Sequence, residues 1–244
     1  MGIKSETIVW DGRTSEDLNL IIASIPSYVV PERKMEVISV PGRNGDIIIA
    51  QDAYNNVTVK YDLSIVGLNK TLNESVAGVM EWLMKPVGYA RLENSYDPDC
   101  FRIGFFKNAK EVVNRFMTLG RATVEFSCKP QRFLRVGELP IIAVNGMRLS
   151  NPSVYTANPL IAVRGASEGV LTVGDVEVEI SGFGTGGEID IDSESMSAFY
   201  GSANLNSLIS LDNGKFPILP EGETEISWTG GITSVVITPR WWIL

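Results

Sequence analysis

The sequence contains no histidine. This excludes Ser-His-Asp and Cys-His nucleophilic mechanisms, a His general base, and His-ligated zinc or iron. Only two cysteines are present, Cys100 and Cys128, and they form no CxxC motif. Two cysteines cannot complete a zinc site alone. We expect reduced thiols, with a disulfide between them as the open alternative. An enzyme built on this chain would have to use carboxylates, Lys or Tyr.

Long apolar runs are also missing. No run approaches the ~18–20 residues that cross a bilayer, and residues 1–6 lack the apolar core of a signal peptide. The sequence therefore predicts synthesis and folding in the cytoplasm and no membrane partner. The formal net charge of −8 argues against direct binding of nucleic acid, because such binding depends mainly on Lys and Arg neutralising phosphates.

The net charge lies entirely in the second half of the chain. Residues 1–132 contain 16 Lys/Arg and 16 Asp/Glu, a net charge of 0, whereas residues 133–244 contain 5 and 13, a net charge of −8. Such a step suggests two modules with different surfaces. It falls just after Pro130, a residue that ends strands. We predict two domains, residues 1–132 and residues 133–244.

Alternating apolar and polar residues predict an almost entirely β first domain. The strongest strand covers residues 57–65, where every second residue is apolar. Strands over 35–40 and from residue 47 flank the segment 41–46, whose Asn-Gly and second glycine indicate a loop or hairpin. Further strands are predicted over 89–93, 101–107, 111–116 and 122–128.

One helix is expected in this domain. Thr71 and Glu74 match a capping box. Apolar residues follow at helical spacing up to Leu83, and Pro86 ends the helix.

The second domain shows short strands separated by glycines. A tight hairpin is predicted at Gly174-Asp175 and another at Gly230-Gly231, each between two alternating strands. A further strand covers 188–192. Turn signals every roughly 8–12 residues indicate a β-sandwich.

Two acidic strand faces are the first candidate sites in the second domain. One carries Asp175, Glu177 and Glu179, and the other carries Glu188, Asp190 and Asp192, with Glu194 nearby. If the strands were neighbours, like charges would face each other unless a cation bridged them. Calcium binding and a glycosidase carboxylate pair are the alternatives. We favour the solvated outer face of a sandwich.

A glycine cluster and the aromatic residues are the other candidates. Residues 182–187 lack the Gly-Lys-Ser/Thr end of a phosphate loop and precede no helix, so we interpret them as an inter-strand loop. Aromatic side chains could stack on sugar rings, although burial is commoner. They are Tyr155, Phe199, Tyr200, Trp228, Trp241 and Trp242. We assign no catalytic, cofactor-binding or metal-ligating residue, and we expect no cofactor.

The order of motifs resembles that of siphophage distal tail proteins. The residues that carry this resemblance span nearly the whole chain. They are the Pro-Gly-Arg-Asn-Gly-Asp loop at 41–46, residues 52–56, 82–83, 88–92 and 97–98, the junction 126–131, and residues 158–161, 189–194, 213–217 and 219–222.

The resemblance implies a mainly β fold: a tail-tube-like β-sandwich with one helix and a long hairpin, then a peripheral galectin-like β-sandwich. It implies a non-enzymatic virion protein that forms a hexameric hub at the distal end of a non-contractile tail. Its partners would be other copies of itself, the tail tube protein, the tail-tip (tail-associated lysin) protein and, in some phages, a receptor-binding protein. DNA would pass through the lumen without specific binding. A carbohydrate-binding module for host cell-wall glycan is the alternative function.

Overall fold

The computed structural model describes residues 6–24, 26, 27, 29–65, 71–107, 112, 115, 116 and 120–244. The chain divides into two compact units, residues 1–132 with Leu244 and residues 133–243. Both units are built mainly of β-strands, which confirms the predicted fold class.

The elements of the first unit follow in chain order. They are β1 (Ile8–Trp10), β2 (Arg13–Thr14), a 3-10 turn (Ser15–Leu18), β3 (Leu20–Ile22), β4 (Arg33–Ile38), β5 (Ile47–Tyr54), β6 (Val57–Ile65), α1 (Leu72–Met84), β7 (Ala90–Asn94), β8 (Cys100–Phe106) and β9 (Arg121–Cys128).

Most strands of the first unit form one antiparallel sheet in the order β2-β1-β7-β8-β9-β6-β3. In β6 the side chains alternate between buried and more exposed, as the sequence predicts. Ile22 lies in β3 at one end of the sheet, and Glu6 lies just before β1 near the other end. The Ile22 N–H donates to the Glu6 carbonyl oxygen over 3.2 Å. The sheet therefore curls back on itself around its core. Strands β4 and β5 form a separate two-stranded sheet.

Helix α1 begins and ends where the sequence predicts. The Glu74 N–H donates to Thr71 Oγ1 at 3.3 Å, and the Thr71 N–H donates to Glu74 Oε2 at 3.0 Å. The buried face of the helix packs into the sheet's core. There Trp82 Nε1 donates to the Trp10 carbonyl and Trp10 Nε1 donates to the Leu83 carbonyl, each at 3.2 Å. Two reciprocal indole bonds thus fix the helix on β1.

Removing the capping hydroxyl is expected to weaken the first unit modestly. A Thr71→Ala substitution leaves the Glu74 N–H without its acceptor, which costs about 1 kcal/mol. Chemical denaturation followed by circular dichroism measures this change. An Asn73→Ala control at an exposed helix position should match or exceed wild-type stability, because alanine favours the helix. A Thr71→Ala protein as stable as the wild type would contradict the capping role.

The strand predicted over 111–116 is wrong for the residues that the structure describes. Val112, Arg115 and Phe116 are helical. Val112 and Phe116 are both fully buried, and a spacing of four residues places them on one face of a helix. The helical period therefore prevails over the apolar content that suggested a strand. Residues 111, 113 and 114 lie outside the described part.

The remaining elements also follow in chain order. They are β10 (Arg132–Leu134), a 3-10 turn (Arg135–Glu138), β11 (Ile141–Ile142), β12 (Met147–Asn151), β13 (Leu160–Val173), β14 (Val176–Ile180), β15 (Glu188–Asp192), β16 (Ser197–Tyr200), β17 (Ala203–Asn204), a 3-10 turn (Asn206–Leu208), β18 (Ile209–Leu211), a 3-10 turn (Asp212–Gly214), β19 (Gly222–Thr238) and β20 (Trp242–Ile243).

Two long strands, β13 and β19, organise the second unit. They pair with each other along most of their length, with a register shift near Gly165 and Gly169. The first half of β13 and the second half of β19, which we call the outer halves, belong to one sheet in the order β11-β19-β13-β15-β16-β17. The second half of β13 and the first half of β19, which we call the inner halves, pair with β14 and β12, and β18 pairs with β14. We call the second group, β12-β19-β13-β14-β18, the inner-half sheet. The buried Val and Ile side chains between the strands form a single core.

One hairpin prediction is confirmed and the other is wrong. Gly174 and Asp175 do form the two-residue turn between β13 and β14. Gly230 and Gly231, in contrast, lie inside the continuous strand β19. Gly230 has a φ of +72°, and a Cβ placed there would lie 2.6 Å from the Glu168 carbonyl oxygen. These glycines allow two strands to bend in close contact and do not reverse the chain.

Candidate functional site

The two acidic strands do not form a joint site. Strand β14 pairs with the second half of β13, and β15 pairs with the first half. The two strands are therefore not neighbours, and their carboxylates do not face one another across a ladder. No group of three or more Asp, Glu or Cys side chains in the described ranges is placed to hold a metal ion.

Charged partners occupy the ends of the acidic row on β15. Arg164 pairs with Glu188, and Arg240 Nη1 lies 2.5 Å from Asp192 Oδ1. Burial and the neighbouring Glu188 raise the pKa of Asp190. Burial also acts to raise the pKa of Asp192, but hydrogen bonds from Arg240 and Ser195 outweigh it and lower that pKa. This arrangement is that of an ion-paired sheet surface.

The aromatic residues of the second unit serve mainly to pack it. Trp241 is buried in the core, and Trp228 packs against the same core from its edge. Trp242 stacks on Tyr155 with ring centroids 4.5 Å apart, and its Nε1 donates to the Thr156 carbonyl. Phe199 and Tyr200 are half-buried. Trp241 is therefore not available as a platform for a sugar ring.

Both cysteines are buried free thiols. Burial raises the pKa of the Cys100 thiol to about 11 and that of Cys128 to about 12. Thiols of such high pKa are poor nucleophiles at neutral pH.

The most unusual surface of the first unit is the hairpin formed by β4 and β5. The two strands pair only with each other among the described strands. Their turn contains Gly42 and Gly45, with φ values of +82° and +81°, which explains the glycines of the 41–46 loop. Every residue of β4 is exposed. The hairpin therefore lacks the packing that normally stabilises two strands in water.

Several exposed side chains of this hairpin are nevertheless large and apolar. Val37 and Ile48 are cross-strand partners with 58% and 62% of their surface exposed. Other exposed apolar residues extend the patch along both faces; they are Met35, Ile38, Val40, Ile47 and Ile49. Exposed apolar surface of this kind is typical of sites that contact another molecule. We call these seven exposed apolar residues the hairpin patch.

The residue pattern predicts the position of this hairpin but not that both of its strands are exposed. A sequence signal existed in Ile47-Ile48-Ile49, three consecutive apolar residues where a strand with one solvated face should alternate. Both faces of such a strand are expected to be covered.

The comparisons with known proteins bear on the fold. No protein-family model matches the sequence, and no curated protein matches it. Among solved structures, the chain matches the crystal structure of the SPP1 Dit protein (gp 19.1), described as a paradigm of the hub adsorption apparatus in phages that infect Gram-positive bacteria. The TM-score is 0.74 over 99% of this chain and 100% of that chain, at 16% sequence identity. This chain has the fold of the SPP1 Dit protein.

The likeness to SPP1 Dit extends through both units, because it covers nearly all residues of each chain. At 16% identity it establishes architecture, and function has to be argued from surfaces. None of the described helices is long and apolar enough to cross a membrane.

Proposed function

We propose that this chain is a structural virion protein that forms a hexameric hub at the distal end of a non-contractile phage tail. The observation that carries this proposal is the full-length likeness to the SPP1 Dit hub protein. A likeness that spans two different β units in one chain is more specific than a likeness to a single common sandwich.

The hairpin patch supports assembly with other copies of the chain. An exposed two-stranded hairpin with apolar faces gains stability by packing against a neighbour. Residues 33–54 contain three Lys/Arg and three Asp/Glu, so six copies brought together add no net charge from this segment. In this proposal residues 1–132 build the ring through the hairpin.

Residues 133–244 form the periphery of the hub in this proposal. Their net charge of −8 would be costly at a crowded ring axis and is tolerated at a solvated rim. The hub joins the tail tube protein to the tail-tip protein and, in some assemblies, to a receptor-binding protein. DNA passes through the lumen without specific binding, and the chain performs no catalysis.

The carbohydrate-binding alternative has less support. Its best aromatic candidates pack inward: Trp241 belongs to the core, and Trp228 packs against it. Trp242 already has a stacking partner in Tyr155.

The assembly proposal is tested by mass measurement. Light scattering after size-exclusion chromatography, over a concentration series, should give a species with six times the 26.7 kDa mass of one chain. This species should dissociate at the lowest concentrations. A mass of one chain at every concentration, also after mixing with the tube and tip proteins, would overturn the proposal.

A further inference from the structure

Three Asn-Gly pairs occur in the chain, beginning at Asn44, Asn145 and Asn213. Such a pair is prone to lose the asparagine amide, because glycine has no side chain that hinders its backbone nitrogen from reaching the neighbouring carboxamide. In a folded protein the rate depends on whether these two groups can meet. The structure distinguishes the first two pairs on this point, and the Asn213 side chain lies outside the described residues.

Hydrogen bonds hold both reacting groups of the second pair. Asn145 Nδ2 donates to the Trp228 carbonyl, and Asn145 Oδ1 accepts from the Trp228 N–H, each over 2.9 Å. The Gly146 N–H donates to the Ile226 carbonyl, also over 2.9 Å. Although Asn145 is exposed, its amide cannot turn towards the glycine nitrogen unless these bonds break.

The first pair has the same backbone conformation at glycine without these bonds. Gly45 has a φ of +81° and Gly146 a φ of +82°, and Asn44 is exposed like Asn145. Among the described residues, no hydrogen bond involves the Asn44 side chain or the Gly45 N–H. A Cβ placed at Gly45 would have nothing within 4 Å. The two groups therefore have both the freedom and the space to react.

The hairpin around Asn44 offers little resistance to local movement. Every residue of β4 is exposed, and β4 and β5 pair only with each other among the described strands. Their ladder ends at the pair Ile38 and Ile47, so residue 44 takes no part in it. Segments with few buried contacts open at a small cost in free energy, and this turn can reach the reactive geometry readily.

We propose that Asn44 is a site of spontaneous deamidation. The Gly45 backbone nitrogen gives up its proton to water or hydroxide and attacks the side-chain carbonyl carbon of Asn44. A bond forms between these two atoms, the bond from that carbon to Nδ2 breaks, and Nδ2 takes up a proton and leaves as ammonia. Water then opens the five-membered imide at either carbonyl, which gives aspartate or isoaspartate. In total one water is consumed and one ammonia is released, with no oxidation or reduction.

The product carries a carboxylate in place of the amide. Residues 33–54 contain three Lys/Arg and three Asp/Glu, so the modification changes the net charge of this segment from zero to negative. Isoaspartate also lengthens the main chain of the turn, and the ladder tolerates this because it ends before residue 44. This inference concerns the chemistry of the turn and does not depend on ring formation.

Peptide mapping by mass spectrometry tests the proposal on the folded full chain, kept dilute enough to remain as single subunits. During incubation at mildly alkaline pH, deamidation at Asn44 should proceed at least about tenfold faster than at Asn145, whose bonds must open first. The rate at Asn44 should rise with pH, because the attacking nitrogen has to lose its proton. An Asn44→Gln variant should lack the corresponding acidic species in ion-exchange chromatography, since glutamine would have to form a larger ring.

The unfolded chain is the matched control. In concentrated urea the hydrogen bonds at Asn145 are lost, and the rates at the two asparagines should agree within about threefold. Such agreement would show that the difference in the folded chain comes from the structure and not from the flanking residues. An Asn44 that stays intact as long as Asn145 in the folded chain, or a rate difference that persists unchanged in urea, would overturn the proposal.

Discussion

A Val37→Asp/Ile48→Lys variant is expected to run as single subunits under the conditions in which the wild type forms the proposed ring. Both residues are more than half exposed and face each other across β4 and β5. Charged groups there must lose water when a neighbouring copy covers the hairpin, which costs about 2–4 kcal/mol at the centre of an interface. That is roughly a 30- to 1,000-fold loss of affinity at each contact. Light scattering measures the mass directly.

The charge pair is chosen so that the hairpin itself survives. Asp and Lys in a cross-strand pair attract each other, and neither position is part of the core. The melting temperature should therefore stay near that of the wild type. Val154→Asp is the control, because Val154 is 65% exposed but lies in the second unit. A ring that survives the hairpin substitutions, or is lost equally in the control, would show that the hairpin is not the contact.

Gly230→Ala is expected to destabilise the second unit by about 3 kcal/mol. Part of this cost comes from the left-handed backbone that alanine avoids, and part comes from overlap with the neighbouring strand. The added Cβ would lie 2.6 Å from the Glu168 carbonyl and 2.7 Å from Gly169 Cα, and backbone cannot rotate away as a side chain can. Calorimetry should show the melting temperature of this unit lowered by about 10 °C.

Gly182→Ala provides the comparison for this prediction. A Cβ at Gly182 meets nothing nearer than Leu208 Cδ2 at 3.8 Å, an ordinary contact, and its backbone is not left-handed. This variant should melt within a degree or two of the wild type. A Gly230→Ala protein with the melting temperature of the wild type would contradict the close packing of β13 against β19 at this bend.

Local signals in the sequence predicted the elements that depend on local interactions. Thr71 and Glu74 are close in sequence and satisfy each other, so the capping box could be recognised without the fold. Strand β6 has one buried face, and its alternation shows directly in the residues. The Gly174-Asp175 turn joins strands that are adjacent along the chain.

Features that depend on distant residues could not be predicted in this way. Gly230 and Gly231 have the composition of a turn, and only the approach of residues 167–169 from β13 shows that they accommodate a bend. The acidic strands were found from the sequence, but whether they are neighbours depends on which half of β13 each one joins.

The hub proposal is tested most directly by electron microscopy of the purified full-length chain at high concentration. It predicts class averages of a six-fold ring with a central channel, and three-dimensional reconstruction should place the hairpin of residues 33–54 at each contact between neighbouring copies. Single, unassembled particles, also in the presence of the tail tube and tail-tip proteins, would contradict it.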